Sequence, residues 1–222
     1  MSPIHPLSVA ATLFVSYWCA CTSFKRTEWP MRILCLSPYP ERLAAAFAAD
    51  AVDATADPIT PGDLASVDWV VSYGYRHILR QPILDALPGR FVNLHIACLP
   101  WNRGAHPNYW SWAEGTPKGV TIHQIDAGID TGPIIAQRLL CLSPEQTFRQ
   151  TYAKLQDEME ALFADAWPVI RAGRCEAFPQ VGAGTHHYAR ELPDIPGGWD
   201  CSIARYVEGS PHGRSRLLQP VQ

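Results

Sequence analysis

Charge is scarce in this 222-residue chain: Asp, Glu, Lys and Arg together make up 18% of it, against about a quarter in an ordinary globular protein. The signs are nearly balanced, 18 basic against 21 acidic side chains for a net charge of −3. No basic field is therefore available to hold a nucleic-acid backbone. Cysteine patterning is lacking too. The 7 cysteines are odd in number, with no C-x-x-C pair and no Cys/His cluster at ligand spacing. That argues against a disulfide framework and against a metal site, and implies reduced thiols in the cytoplasm. Internal repeats are absent.

Long apolar runs are missing with one exception, Pro6 to Phe24, which has no formal charge and is followed by Lys25-Arg26. Three readings stay open there: a marginal membrane span, a signal-peptide-like segment, or an upstream extension outside the fold. The second is weakened because no Lys or Arg precedes the run. Residues 1–30 are read as an apolar extension, and no membrane partner is expected unless that extension is genuine. The folded part is expected to begin near Met31.

What the chain does have is proline and apolar residues. Its 20 prolines are close to twice the usual share of about 5%, which favours many turns over a plain helical bundle. Hydrophobic residues at 47% suffice for a core, and a chain of this length folds without disulfides or metal. Short apolar runs at 32–37, 68–73 and 91–95 read as buried strands, separated by helical stretches at 41–49 and 82–87. Strands alternating with helices predict an open, largely parallel sheet.

The pattern then changes. Residues 120–126 and 134–140 alternate in polarity around Ala127–Pro133, which predicts an antiparallel return at the sheet edge. Ser143-Pro144-Glu145-Gln146 predicts a helix start by its cap, first-turn proline and capping box. An apolar stripe from Phe148 to Ile170, stopped by Gly173, predicts a long helix with a core face. The expected fold is thus α/β, an open, mostly parallel twisted sheet flanked by helices, with an antiparallel edge and a long C-terminal helix. Its domain is expected over 31–195, with a loose Gly/Pro/Ser/Arg-rich tail over 196–222.

Two short patterns carry chemistry. Asn93-x-His95 puts a carboxamide and an imidazole on the same side of a strand. Asp126-x-x-x-Asp130-Thr131-Gly132 sits in the following inter-strand loop, where Asp and Gly are also ordinary turn residues. Taken with Leu99-Pro100, Gly104 and Gly119-Val120-Thr121-x-His123, they form one ordered series. That series resembles the core of the folate-dependent formyltransferase family, over roughly Met31 to Gly184. One departure is Ile96-Ala97-Cys98, which stands where the family often has Pro-Ser-Leu. It bears on the folate pocket rather than on the catalytic positions.

The resemblance implies a Rossmann-like fold and transfer of a formyl group from 10-formyltetrahydrofolate to a primary amine. By it, Asn93, His95 and Asp130 are the catalytic residues, with no metal required. Asn93 and protonated His95 would hydrogen-bond the developing oxyanion, and Asp130 would favour the imidazolium and help move the proton. The folate side is expected at Tyr73, Gly74, Tyr75, Arg76 and His77, together with Asp126 and Gly128. The acceptor side is expected at Trp101, Arg103 and Tyr109.

Among branches, Ser37-Pro38-Tyr39-Pro40 has no glycine for a phosphate loop, which disfavours a glycinamide ribonucleotide acceptor. The Leu99–Gly104 loop, Thr116–Gly119 and Gly182–Tyr188 resemble compact amino-sugar formyltransferases and the formylation domains of peptide synthetases. A small-molecule amine, an amino sugar nucleotide first, is the expected partner. Aminoacyl groups, including methionyl-tRNA, and hydrolysis of the folate donor are the alternatives, and a homodimer is left open.

Overall fold

The computed structural model describes residues 30–209. The apolar run and the last part of the expected tail lie outside the described residues. In chain order the elements are β1 (Arg32–Leu36), β2 (Ala51–Thr55), β3 (Trp69–Tyr73), α1 (Gln81–Ala86), β4 (Phe91–His95), β5 (Arg103–Gly104) and α2 (Pro107–Ala113). They continue with β6 (Gly119–Gln124), β7 (Ile134–Leu139), α3 (Phe148–Arg171), β8 (His186–His187) and α4 (Ile203–Gly209). Six strands form one sheet in the order β2-β1-β3-β4-β6-β7. The first four are parallel and the last two antiparallel, as the change in polarity pattern predicts.

The two faces of this sheet differ. Alternate residues of β1, β3, β4 and β6 (Ile33, Val71, Leu94 and Ile122 among them) pack in one cluster with the α3 stripe of Leu155, Met159, Phe163, Trp167 and Ile170. The other face is apolar only on the parallel side. There Leu34, Leu36, Val70 and Phe91 meet Leu64 of the 3-10 turn Pro61–Leu64 and Leu84 of α1. On β4 and β6 that second face turns polar, with Asn93, His95, Thr121 and His123 in its place. Polar side chains gather where apolar cover ends.

Helix α3 starts later than its expected cap. Thr147 is the N-cap, its hydroxyl accepting from Gln150 N (3.2 Å) while Gln150 Oε1 accepts from Thr147 N (2.9 Å). Residues 143–146 form a turn instead, because the Pro144 and Gln146 carbonyls are taken by the amides of Ala204 and Ile203. At the far end Gly173 adopts φ +64°. Its N–H reaches Ile170 O, and that of Arg174 reaches Val169 O, the paired bonds that close a helix on glycine.

Three expectations change. The helix predicted at 41–49 is a 3-10 turn, Pro40–Leu43, followed by turns. Leu43 and Phe47 are buried in the core there with Ala46 packed beside them, and the alanines bury too little to hold a longer helix. Strand β2 went unread because its side chains are nearly all exposed. Part of the loose tail predicted from Pro196 is packed. Ile203 and Val207, one turn apart on α4 and 0% and 2% exposed, seat against Tyr109, Trp112 and Phe148.

Where α3 ends, Asp50 is buried with its side chain 1% exposed and paired to Arg171. It also accepts from Trp167 Nε1 (2.9 Å) and Met31 N (3.2 Å). Among the described residues no helix is long and apolar enough to cross a membrane.

Candidate active site

Asn93 and His95 share a face because they are two apart on β4, and antiparallel pairing sets His123 opposite Asn93 and Thr121 opposite His95. Thr121 braces the next loop: its hydroxyl donates to Ala97 O (2.7 Å) and accepts from Leu99 N (3.2 Å). The β6–β7 loop folds back over this face. Asp126 Oδ1 accepts from Gly128 N (3.0 Å) and from the Thr131 hydroxyl (2.6 Å), which closes the turn. A Cβ on Gly132 would stand 1.9 Å from Gln124 O, so only glycine allows that approach. Asp130 takes the left-handed conformation at φ +52°, which Asp tolerates better than most residues. Gln180 Nε2 secures the loop by donating to the carbonyls of Asp130 (2.8 Å) and Gly132 (2.9 Å).

The Asp130 carboxylate is the centre of the arrangement. Oδ1 accepts from Asn93 Nδ2 at 3.0 Å and Oδ2 from Gly104 N at 2.8 Å. His95 Nδ1 lies 3.6 Å from Oδ2 and His123 Nε2 lies 3.4 Å from Oδ1. The tautomers follow from carbonyl partners, which only accept. His95 Nε2 meets Asn102 O at 2.9 Å and therefore carries hydrogen, leaving Nδ1 toward Asp130. His123 Nδ1 meets Gln124 O at 2.7 Å and therefore carries hydrogen, and its Nε2 faces Asn93 Nδ2 at 3.2 Å. Burial works against a charged Asp130. The field of His95, the contacts of His123 and the Gly104 N–H outweigh it and hold the carboxyl well below the usual carboxylate range.

The other expected site residues divide. Gly74 follows Tyr73, which is level with Leu94 in the parallel register, so the exposed loop at Gly74, Arg76 and His77 leaves β3 beside His95. The Tyr75 hydroxyl donates to Asp57 O (2.7 Å). Tyr73 itself is 2% exposed and its hydroxyl donates to Glu160 of α3 (3.2 Å), so its side chain packs in the core and only its backbone lies on the expected folate side. Trp101 is partly open. Arg103 is engaged by the scaffold: Nε and Nη2 donate to Gln180 Oε1 (3.0 and 2.7 Å) and Nη1 to Ala183 O (3.4 Å). Tyr109 is 3% exposed, its hydroxyl 2.5 Å from that of Tyr206. Expected on the acceptor side, it is a core residue, because that face of α2 packs on α3 and α4.

Asn102, Gly104, His123 and Gln180 were not assigned site roles from the sequence. His123 had a readable signal, the alternation that places it with Thr121 on one strand face. The other three depend on how distant loops dock. Among the described residues no group of three or more His, Cys, Asp or Glu is placed to hold a metal ion.

A family model described as formyl transferase matches residues 44–167, more than half of the chain. Methionyl-tRNA formyltransferase of Roseobacter denitrificans is 38% identical over 138 residues, 61% of this chain and 44% of that protein. The chain therefore spans less than half the length of that curated relative. The formyltransferase PseJ from Anoxybacillus kamchatkensis was crystallised with UDP-4,6-dideoxy-4-formamido-L-AltNAc and tetrahydrofolate. It matches with a TM-score of 0.73 and 39% identity, over 79% of this chain and 97% of that one. A 4-N formyltransferase from Francisella tularensis shares the fold, with a TM-score of 0.67 at 20% identity, over 72% of this chain and 77% of that one.

Proposed function

The chain belongs to the formyl transferase family, and from that premise we propose that it moves a formyl group from 10-formyltetrahydrofolate to the primary amine of an amino sugar nucleotide. The observation that carries the chemistry is the meeting of Asn93, His95 and Asp130 where the apolar cover of that sheet face ends. The acceptor reading is supported by the likeness, at 39% identity, to a formyltransferase crystallised with a formamido sugar nucleotide. The cysteines among the described residues are all unpaired, which supports a cytoplasmic setting.

In this reading the acceptor–carbon bond forms, the bond from that carbon to the donor nitrogen breaks, and the proton lost by the amine ends on the donor nitrogen. The residues of this chain act on the charges that arise. Asn93 Nδ2 turns the hydrogen it shares with His123 toward the oxygen that becomes negative. His95 as imidazolium adds its Nδ1–H, which lies 3.6 Å from Asp130 Oδ2, longer than a normal hydrogen bond. Asp130, ionised at neutral pH, receives the amine proton and passes it on, through water where reach requires it. Gly74, Arg76 and His77 form the exposed loop beside His95 against which the folate would lie. Its backbone there is outside regular structure, and so is free to meet polar ring edges.

The test is release of tetrahydrofolate from 10-formyltetrahydrofolate in the presence of a panel of amino sugar nucleotides. We expect release that requires one of these amines and falls on the order of 100- to 1000-fold in His95→Ala. Formylation of methionyl-tRNA alone would replace the sugar acceptor with the aminoacyl one. Release without any amine would overturn transfer in favour of hydrolysis.

A further inference from the structure

Asn102 is fully buried, 0% exposed, yet sits in a loop at φ +59°. Glycine adopts that conformation most easily, so an Asn side chain there needs a reason. Every polar group of Asn102 has one. Its Oδ1 accepts from the Thr116 hydroxyl at 2.7 Å, and its N–H donates to the Thr185 hydroxyl at 2.9 Å. Its Nδ2 lies 3.4 Å from both Glu114 Oε2 and Thr185 Oγ1. What is left is its carbonyl, and that receives His95 Nε2–H at 2.9 Å.

We propose that Asn102 is a positioning residue, which with Thr185 fixes the carbonyl that keeps hydrogen on His95 Nε2 and so presents Nδ1 to Asp130. The proposal rests on the reading of His95 and Asp130 given above. Thr185 reaches Asn102 because its segment is stitched to the same loop. Thr185 N donates to Pro100 O (3.2 Å), and Arg103 N donates to Thr185 O (3.0 Å). Gly184 makes the approach feasible, since a Cβ there would stand 2.0 Å from Pro100 O. Two residues further along, Gly104 N binds Asp130 Oδ2. One short loop thus grips the ring through its Nε2 edge and the carboxylate that faces its Nδ1 edge. Neither Asn102 nor Thr185 needs to touch substrate for this to work.

The experiment reads the tautomer directly. Full-length protein labelled with ¹⁵N at its 8 histidines gives a ring spectrum in which His95 is identified by its loss in His95→Gln. The imidazolium of the reaction carries hydrogen on both nitrogens; we expect the neutral His95 ring to carry its hydrogen on Nε2 in the native protein, and mixed tautomers in Asn102→Gly and Thr185→Val. The first keeps the backbone conformation and the carbonyl while removing the side-chain anchors. In turnover, both variants should lose about tenfold in kcat with little change in KM for the folate donor, the scale of one buried hydrogen bond. Thr185→Ser, which keeps the hydroxyl, should behave as the native protein. An Nδ1–H tautomer in the native protein overturns the proposal, and so does an unchanged His95 signal in both variants. Absence of turnover with every amine would count against the proposed activity alone, because the tautomer is read without it.

Discussion

Asp50 and Asp130 are both carboxylates taken out of water, but they are held by different kinds of partner. Asp50 has a permanent cation, Arg171, together with an indole and a backbone N–H. Asp130 has no Lys or Arg in hydrogen-bond or ion-pair reach among its described contacts. Two imidazoles, a carboxamide and one backbone N–H surround it instead. A guanidinium neither releases its proton nor yields its place, so Asp50 can only hold the ends of β1, β2 and α3 together. Imidazole and amide partners can exchange hydrogens with an incoming group. Burial alone does not mark a reactive carboxylate; the chemistry of the neighbours does.

Removing each carboxylate in turn is the sharpest way to break this contrast. Asp50→Ala removes the buried carboxylate paired to Arg171 and should cost about 3–5 kcal/mol of stability, seen as a lower urea midpoint with turnover per folded molecule unchanged. A midpoint within error of the native protein would remove Asp50 from its structural role. Asp130→Asn should do the reverse, losing on the order of 100- to 1000-fold in turnover with a much smaller shift in midpoint, because an amide oxygen can still accept from Gly104. Equal destabilisation in the two variants would erase the distinction.

Acid titration gives a smaller effect. Because the Asp130 carboxyl is held below its ordinary value of 3.8, its contribution to stability is complete above that value. It is lost as pH falls from there toward the depressed one. Asp130→Asn should therefore flatten the decline in stability below about pH 4, and an unchanged acid limb would refute the assignment. The smallest contrast concerns thiols. Burial pushes Cys98 up to about 11, whereas Cys141 is exposed. Mild alkylation at neutral pH should label Cys141 and spare Cys98 in the folded protein, as peptide mass analysis would show.

The elements that bury apolar residues could be read in the chain, and those that do not could not. β3 and α3 announce themselves by continuous or periodic apolar positions. β2 (Ala51–Thr55) is an edge strand with most side chains in water, so its pairing with β1 is a matter of backbone hydrogen bonds that composition does not reveal. The site follows the same division. Asn93 and His95 were readable from strand period, and Asp130 from the resemblance its loop carries. The buried side chains of Tyr73 and Tyr109 are harder to read, because a residue beside a motif can face either way, and here each faces a helix. Asn102 and Gln180 act through contacts with segments dozens of residues away, and no local pattern encodes such docking.

The stitching of Thr185 to Asn102 also bears on the order in which the molecule assembles. Asn93 reaches His123 across 30 residues and Asp130 across 37, whereas Thr185 closes on Asn102 across 83. Closing the longer loop costs more chain entropy, and contacts of large sequence separation are the slow ones to form. Asn93, His123 and Asp130 can therefore meet while His95 still turns freely. On refolding, the contacts of Asn93 with His123 and Asp130 should precede the return of a single His95 tautomer.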